Sequence, residues 1–258
     1  LYLDKIIQSH REVASRDQRN LDDLVNQARS LSPARGFGSR LVQGSRENLC
    51  VVAEIKRKSP SKGVLRENLD AAHIASLYEQ GGASCLSVLT DEQFFGGSVE
   101  DLQVARASTS LPVIRKDFTV SEFDVVDARL MGADCVLLIA AALTNDELSR
   151  FHDLAIHIGL DVLVETHDDH ELERALSVGA TIVGVNQRDL VTFQVDHARA
   201  ERMASLIPHA VVRVAESGVR NSDDARRLRD AGYDAVLVGE SIVTASDPAA
   251  AVRELKVA

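Results

Sequence analysis

The sequence predicts an α/β fold, a closed (β/α)8 TIM barrel with extra N-terminal capping helices. Three observations predict it. Eight short β-branched runs follow residue 48, and longer stretches with helical apolar spacing separate them. A glycine mark also recurs roughly every fifty residues, the length of two strand-helix units.

The runs, in order, are NLCVVAEIKRKS, SCLSVLT, PVIRKDF, DCVLLIA, DVLVETH, TIVGVNQ, VVRVAES and DAVLVGE. Between them, stretches such as TNDELSRFHDLAIHIG, HDDHELERALSVGA and RNSDDARRLRDAGY begin near Asp, Ser or Asn and end at Gly. Strands alternating with helices imply parallel pairing through right-handed crossovers. Gly82-Ala83, Gly132-Ala133, Gly179-Ala180 and Gly232-Tyr233 each close a helix and open an even-numbered strand. Four such double units make eight, the number that closes a parallel sheet. The alternative is an open doubly wound sheet, but no G-x-G-x-x-G follows the first strand to support it.

Residues 1–48 stand before this scheme. LDKIIQSHREVAS places Leu3, Ile6, Ile7 and Val13 near one helical face, and LDDLVNQARSL does the same with Leu21, Leu24, Val25, Ala28 and Leu31. SPARGFGSR then breaks the pattern. Forty-odd residues make a poor core alone, so they are expected as a helical extension over the active-site face of one barrel domain spanning 1–258.

Composition narrows the classes of partner. The chain has 258 residues, 45% of them apolar, and a formal charge of −10, which argues against nucleic acid or an anionic membrane. No run of eighteen uncharged apolar residues occurs, so no membrane span is expected. The charged N-terminus does not read as a signal peptide. Cys50, Cys85 and Cys135 sit in apolar runs, as core thiols of a cytoplasmic protein would.

In a barrel strand alternate side chains point inward, and chemistry collects at the C-terminal ends. Ala53 and Ile55 suit the sheet–helix layer, so Glu54 and Lys56 point into the barrel. Lys116 shares a face with Ile114 and Phe118, Glu165 with Leu163, and Glu216 with Val212 and Val214; Asn186 ends the sixth strand. Any one of these could be a solvated strand end. Six on one rim read as an active site, because burying ions costs several kcal/mol each unless they pair.

Glu216-Ser217-Gly218 and Val238-Gly239-Glu240-Ser241 follow the last two strands, where barrels of this class hold phosphate through backbone N–H groups. Lys58 and Ser59 follow the first strand and could reach the same anion. Phe94 and Phe95, in TDEQFFGGS, could wall a flat apolar pocket or pack beneath the loop. HDDH at 167–170 reads as solvent-facing at a helix start rather than as a metal site, and no metal or nucleotide fingerprint is evident.

The segments AEIKRKSPSKG, SVLTDEQFFGGS, LPVIRKDF, GADCVLLIAAALT, LVETHD, GVNQRDL, VAESGV and AVLVGES, in this order, resemble the indole-3-glycerol phosphate synthase family of tryptophan biosynthesis. The resemblance covers nearly the whole chain. It implies a cofactor-free, metal-free carboxy-lyase acting on 1-(2-carboxyphenylamino)-1-deoxyribulose 5-phosphate by ring closure, loss of carbon dioxide and loss of water. By motif, Lys116 would be the general acid and Glu165 the general base or acid of the dehydration. Lys56 would pair with the departing carboxylate, Glu54 and Asn186 would orient hydroxyls and lysines, and Glu216 would hold the substrate amine or hydroxyl. Ser217, Gly218, Gly239 and Glu240, with Lys58 and Ser59, would bind phosphate. Phe95, Phe118, Leu137 and Arg188 would line the aromatic end.

Lys116 is expected to have its pKa lowered by Lys56 and by burial. His167, Gln187 and Glu240 depart from residues found in some relatives, and none of the three is expected to touch the acid or the base. A cytoplasmic monomer, or at most a weak dimer, is expected. A phosphoribosylanthranilate isomerase-like barrel would instead want a Cys and Asp pair at opposed strand ends. A binding barrel without catalysis would have no use for Lys56, Lys116 and Glu165 together.

Overall fold

The computed structural model of the protein describes residues 2–60, 62–189 and 192–258. Ser61 of KRKSPSKG and Leu190 of NQRDL lie outside them. In chain order the elements begin with α1 (Tyr2–Ala14), α2 (Leu21–Ser30), α3 (Phe37–Gly44), β1 (Cys50–Ile55), β2 (Lys58–Ser59), β3 (Gly63–Val64) and α4 (Ala71–Gln80). Next come β4 (Cys85–Leu89), α5 (Glu92–Phe95), α6 (Val99–Ala107), β5 (Val113–Lys116), α7 (Glu122–Met131), β6 (Cys135–Ile139) and α8 (Asn145–His157). They continue with β7 (Asp161–Thr166), α9 (Asp169–Ser177), β8 (Ile182–Asn186), α10 (His197–Ala204), β9 (Val212–Glu216) and α11 (Ser222–Asp230). The chain finishes with β10 (Ala235–Val238), α12 (Glu240–Val243) and α13 (Pro248–Leu255).

Strands β1, β4, β5, β6, β7, β8, β9 and β10 close a parallel barrel, with β10 paired back onto β1. The eight runs read from the sequence are these strands. Gly82, Gly132, Gly179 and Gly232 all have positive φ, between 81° and 100°, the left-handed conformation that stops a helix before a strand. Helix starts follow the same logic. Ser121 and Thr144 open α7 and α8 with capping boxes, reciprocating with Asp124 and Glu147.

Strand parity divides the core in two. Val51, Ala53, Ile55, Val113, Val136, Val164 and Val183 face the helices. Inside the barrel, Phe37, Leu41, Cys50, Val52, Cys85, Ile114, Cys135, Leu163, Ile182 and Val212 form a second, separate cluster. The three thiols are free and buried, and with Phe37 they occupy the N-terminal end of the barrel lumen.

The extension differs from its expected course. Only α1 reaches the C-terminal mouth, where Arg11 donates to Glu147 at 2.7 Å and to the Ala142 carbonyl at 3.2 Å, and His10 meets Asp91 at 3.0 Å. Helix α2 packs on the outside against α7. Segment SPARGFGSR, which reads as a pattern break, turns into α3 and closes the opposite end. Arg35 donates to the carbonyls of Arg106, Thr109 and Leu111, and the Gly38 N–H donates to Asp161 at 2.9 Å. Phe37 and Leu41 then fill the bottom of the lumen with no exposed surface. Phe37→Ala is expected to destabilise the protein by about 3–5 kcal/mol, the usual cost of emptying a buried aromatic site. A urea midpoint within error of the parent's would show that α3 is not the barrel's floor.

Candidate active site

The residues that parity turns inward at the top of the lumen are polar. Register brings them together. Glu54 pairs across to Ser87, Leu89 to Lys116, Ile139 to Glu165, Glu165 to Gly184, and Asn186 to Glu216. Above them opens a cavity of about 680 Å³ lined by Glu54, Lys56, Lys116, Glu165, Asn186 and Glu216, the six groups expected there.

Lys116 is the centre. Its Nζ donates to Glu165 Oε2 at 2.8 Å and to Glu216 Oε2 at 3.0 Å. Asn186 Nδ2 donates to the other Glu165 oxygen at 3.0 Å. Lys56 donates to Glu54 Oε1 at 2.5 Å, and Ser87 Oγ donates to Glu54 Oε2 at 3.4 Å. Both glutamates beside Lys116 are only 2% exposed, so their charges are scarcely screened.

Glycines make room for this packing. A Cβ on Gly184 would lie 2.1 Å from Glu216 Oε1, and one on Gly239 would lie 2.5 Å from Glu54 Oε1. Gly184, in the middle of a strand, is a sequence-visible mark of such close approach.

The electrostatics reverse one expectation. Burial alone would drive the Lys116 pKa down, but the charges of Glu165, Glu216 and Glu54 outweigh it and hold the ammonium above its ordinary value. Lys56 is turned onto Glu54 and is not among the main influences on Lys116. Burial also opposes ionisation of Glu165, yet Lys116, His167 and the Asn186 amide bring its pKa down to about 2. Glu216 goes the other way: burial, reinforced by the charge of Glu165, pushes it up to about 8 despite Lys116. Burial and mutual repulsion thus push the two carboxyls apart around one ammonium, Glu165 toward the ionised form and Glu216 toward the protonated one. Two carboxyls whose environments drive their pKa values apart are the usual mark of an acid–base pair.

The glycine turns stand where the sequence puts them. Ser217 (φ 67°) and Gly218 (φ 77°) are consecutive positive-φ residues in the turn after β9. Gly239 precedes α12, whose first N–H groups have no helical acceptor. Ser217, Gly218, Gly239, Glu240 and Ser59 all line the cavity, and Ser59 Oγ is buried without a hydrogen-bond partner among the described residues.

Lys58 is not brought there. Its ammonium donates to the Gln93 carbonyl at 2.9 Å, outside the cavity lining. The cation at the rim is Lys62, 3.7 Å from Glu240 Oε1, so the acidic side chain of Glu240 carries its own counter-ion.

Phe95, Phe118, Leu137 and Arg188 all line the cavity, together with Leu3 and Ile6 of α1. Phe95 and Phe118 lie 6.2 Å apart, and His10 lies 5.4 Å from Phe118. Phe94 is not part of the lining. Sequence reading also missed Phe193, Val195, His197 and Arg220, which line the wall on the β8 and β9 sides. Phe193, at φ 60°, is an uncommon left-handed residue with no pattern around it to flag it.

His10, Asp91 and Asp117 gather donor atoms within 4.8 Å of one another, the one such grouping of metal-ligand type among the described residues. Its lone pairs are already engaged. Asp91 accepts from the N–H groups of Phe94 and Phe95 and from His10, and Asp117 accepts from Thr90, Arg115 and the Phe118 N–H. The cluster serves as a clasp for α1.

His167 corrects two expectations. It is not solvent-facing, having a side chain 12% exposed, and it lies 3.5 Å from Glu165 Oε1. His170, three residues on, is exposed as expected.

With this geometry in view, comparison with known proteins is specific. A family model described as indole-3-glycerol phosphate synthase matches residues 3–255. An indole-3-glycerol phosphate synthase of Streptomyces griseus is 48% identical over 255 residues, covering 98% of this chain and 94% of that protein. One of Chlorobium phaeovibrioides is 46% identical over 248 residues, covering 95% and 96%. Among solved structures, thiamine phosphate pyrophosphorylase from Pyrococcus furiosus superposes with a TM-score of 0.61 at 19% identity, covering 82% of this chain and 95% of that one. At that identity the likeness concerns the barrel alone.

Proposed function

Because the chain belongs to the indole-3-glycerol phosphate synthase family, we propose that its barrel mouth closes the indole ring of 1-(2-carboxyphenylamino)-1-deoxyribulose 5-phosphate, with loss of carbon dioxide and water. The observation that carries this is Lys116 held between Glu165 and Glu216, below an aromatic wall and beside a glycine-rich anion cradle.

The two ends of the cavity suit the two ends of such a substrate. The phosphate takes the backbone N–H groups around Ser217, Gly218, Gly239 and Glu240, with Ser59 Oγ and Lys62 at the rim. The anthranilate ring lies against Phe95, Phe118 and Leu137, with Arg188 at its edge. Lys56, at the mouth of β1, is the cation for the carboxylate that departs.

Ring closure needs a proton on the ketone oxygen as the aromatic carbon attacks. Lys116 supplies it. Although its pKa is raised, the ammonium is still a stronger acid than the hydroxyl group it creates, so transfer to a developing alkoxide is downhill. Glu165, ionised and within reach of Lys116, takes up a proton in the elimination of water. Glu216 keeps its own proton and orients the substrate amine or hydroxyl. Glu54 and Asn186 hold Lys56 and Glu165 in place.

An isomerase of the phosphoribosylanthranilate type is disfavoured by the thiols. Cys50, Cys85 and Cys135 lie at the far end of the lumen, and burial raises the pKa of each. No helix among the described residues is long and apolar enough to cross a membrane. A cytoplasmic setting and a monomeric state belong to the same reading, and the three free, buried thiols support the former.

The test is incubation with the carboxyphenylamino-deoxyribulose phosphate while following indole fluorescence. A rise in indole signal with one carbon dioxide released per product is expected. No indole, or a rearranged sugar phosphate with the carboxyl group retained, would overturn the assignment.

A further inference from the structure

Glu165 is gripped from a side that the reaction scheme leaves unused. His167 follows β7 by one residue and sits in the loop before α9. Its Nε2 is buried, has no hydrogen-bond partner among the described residues, and stands 3.5 Å from Glu165 Oε1. The other ring nitrogen is fixed. Nδ1 lies 3.0 Å from Glu171 Oε2, which also accepts the His167 backbone N–H at 2.8 Å.

That second contact settles the tautomer. With an ionised carboxylate at Nδ1, the hydrogen of a neutral ring belongs there, and Nε2 then presents a lone pair to Glu165. Two such electron-rich groups repel. If the ring is protonated, Nε2–H points at Oε1 and joins the Asn186 amide on the same oxygen. Oε2, facing Lys116, is then the oxygen left to exchange a proton with substrate.

We propose that His167 is a positioning residue for Glu165: as an imidazolium held by Glu171, it orients the carboxylate and keeps it ionised for the elimination step. The inference rests on Glu165 having the role assigned above.

The charges facing the ring agree. Glu171 on α9, Glu165 on β7 and Glu216 on β9 all favour its protonated form, while burial, the largest single influence, opposes it; the balance leaves the pKa raised. Lys116 is the one cation in the same group, and it is already engaged with Glu165 and Glu216.

Two measurements test this. In the first, His167→Ala is expected to lower kcat about ten- to a hundredfold, as loss of an outer partner commonly does. KM should stay within about threefold, since the ring does not line the cavity. His167→Gln keeps an amide donor near the Nε2 position without a charge. It should recover the part of kcat that depends on orientation, stay below the parent because the charge is missing, and lose the ionisation that the imidazole contributes to the kcat profile. A folded His167→Ala protein with parental kcat at every pH would overturn the proposal, as would a His167→Gln protein no better than the alanine variant.

The second measurement is independent of turnover. In an NMR titration, the His167 pKa should fall toward the ordinary histidine value when Glu165 is replaced by glutamine. An unchanged titration would show that the two groups do not sense each other. If the unmodified protein made no indole, the functional reading would fail while this titration still reported on the contact.

Discussion

Replacing Lys116 with methionine is expected to lower kcat by about a hundred- to ten-thousandfold, the range over which a positioned general acid acts. The straight methionine chain fills the same volume and removes only the ammonium. Substrate should still bind, because the phosphate cradle and the aromatic wall are untouched. A kcat within tenfold of the parent would take the general acid away from Lys116.

The same variant has a pH signature in stability. Without the ammonium, Glu165 keeps His167 and the Asn186 amide, but Glu216 loses the one group that opposes burial and the charge of Glu165, so its folded-state pKa moves further above that of an unfolded chain. A group with a raised folded pKa stabilises fully below its unfolded value, and that contribution is lost as pH rises through the folded value. Lys116→Met should therefore be close to the parent in urea at acidic pH and progressively weaker toward alkaline pH. A pH-independent difference would mean that the carboxylates find other cations.

Glu165→Gln is expected to be nearly as severe, at about a hundred- to ten-thousandfold in kcat, but at a different step. The amide can still accept from Lys116 and lie beside Asn186, so ring closure and decarboxylation should persist in part. Carbon dioxide would then appear ahead of indole fluorescence in a single turnover, because the residue that removes a proton during dehydration is missing. Simultaneous appearance at the parental rate would remove Glu165 from that step. Loss of carbon dioxide release in equal measure would move it to an earlier one.

What could be read in advance follows from periodicity. Alternation along β1, β5, β7 and β9 is a strict period of two, so Glu54, Lys116, Glu165 and Glu216 could be turned inward from sequence, and register did the rest. Parity has no hold beyond a strand end. Past Ile55 the chain reverses through the antiparallel β2–β3 pair, which sends Lys58 away from the cavity and leaves Lys62 at the rim.

Helix α3 was illegible for another reason. It has only eight residues, the first three being Phe-Gly-Ser, and its N-cap, Gly36, offers no side-chain oxygen. Gly38 lowers helix propensity, but a Cβ there would lie 3.1 Å from Ile182, so the glycine serves tertiary contact rather than local preference. His167 reads as solvent-facing because a histidine among acids at a helix start has the pattern of a solvated face; only the turn after Thr166 folds it back against Glu165. The Lys116 pKa reads with the wrong sign from sequence, because the sign depends on how many carboxylates lie within contact and not on their presence in the chain.

The three cysteines beneath α3 give the molecule a built-in clock. A bulky thiol reagent cannot reach Cys50, Cys85 or Cys135 until the plug lifts away from the foot of the staves. The rate of labelling therefore times the exposure of that end, with no residue substituted to report it. The cavity proposed for substrate opens at the far end, so whether substrate slows the clock tells whether the two ends loosen together or apart.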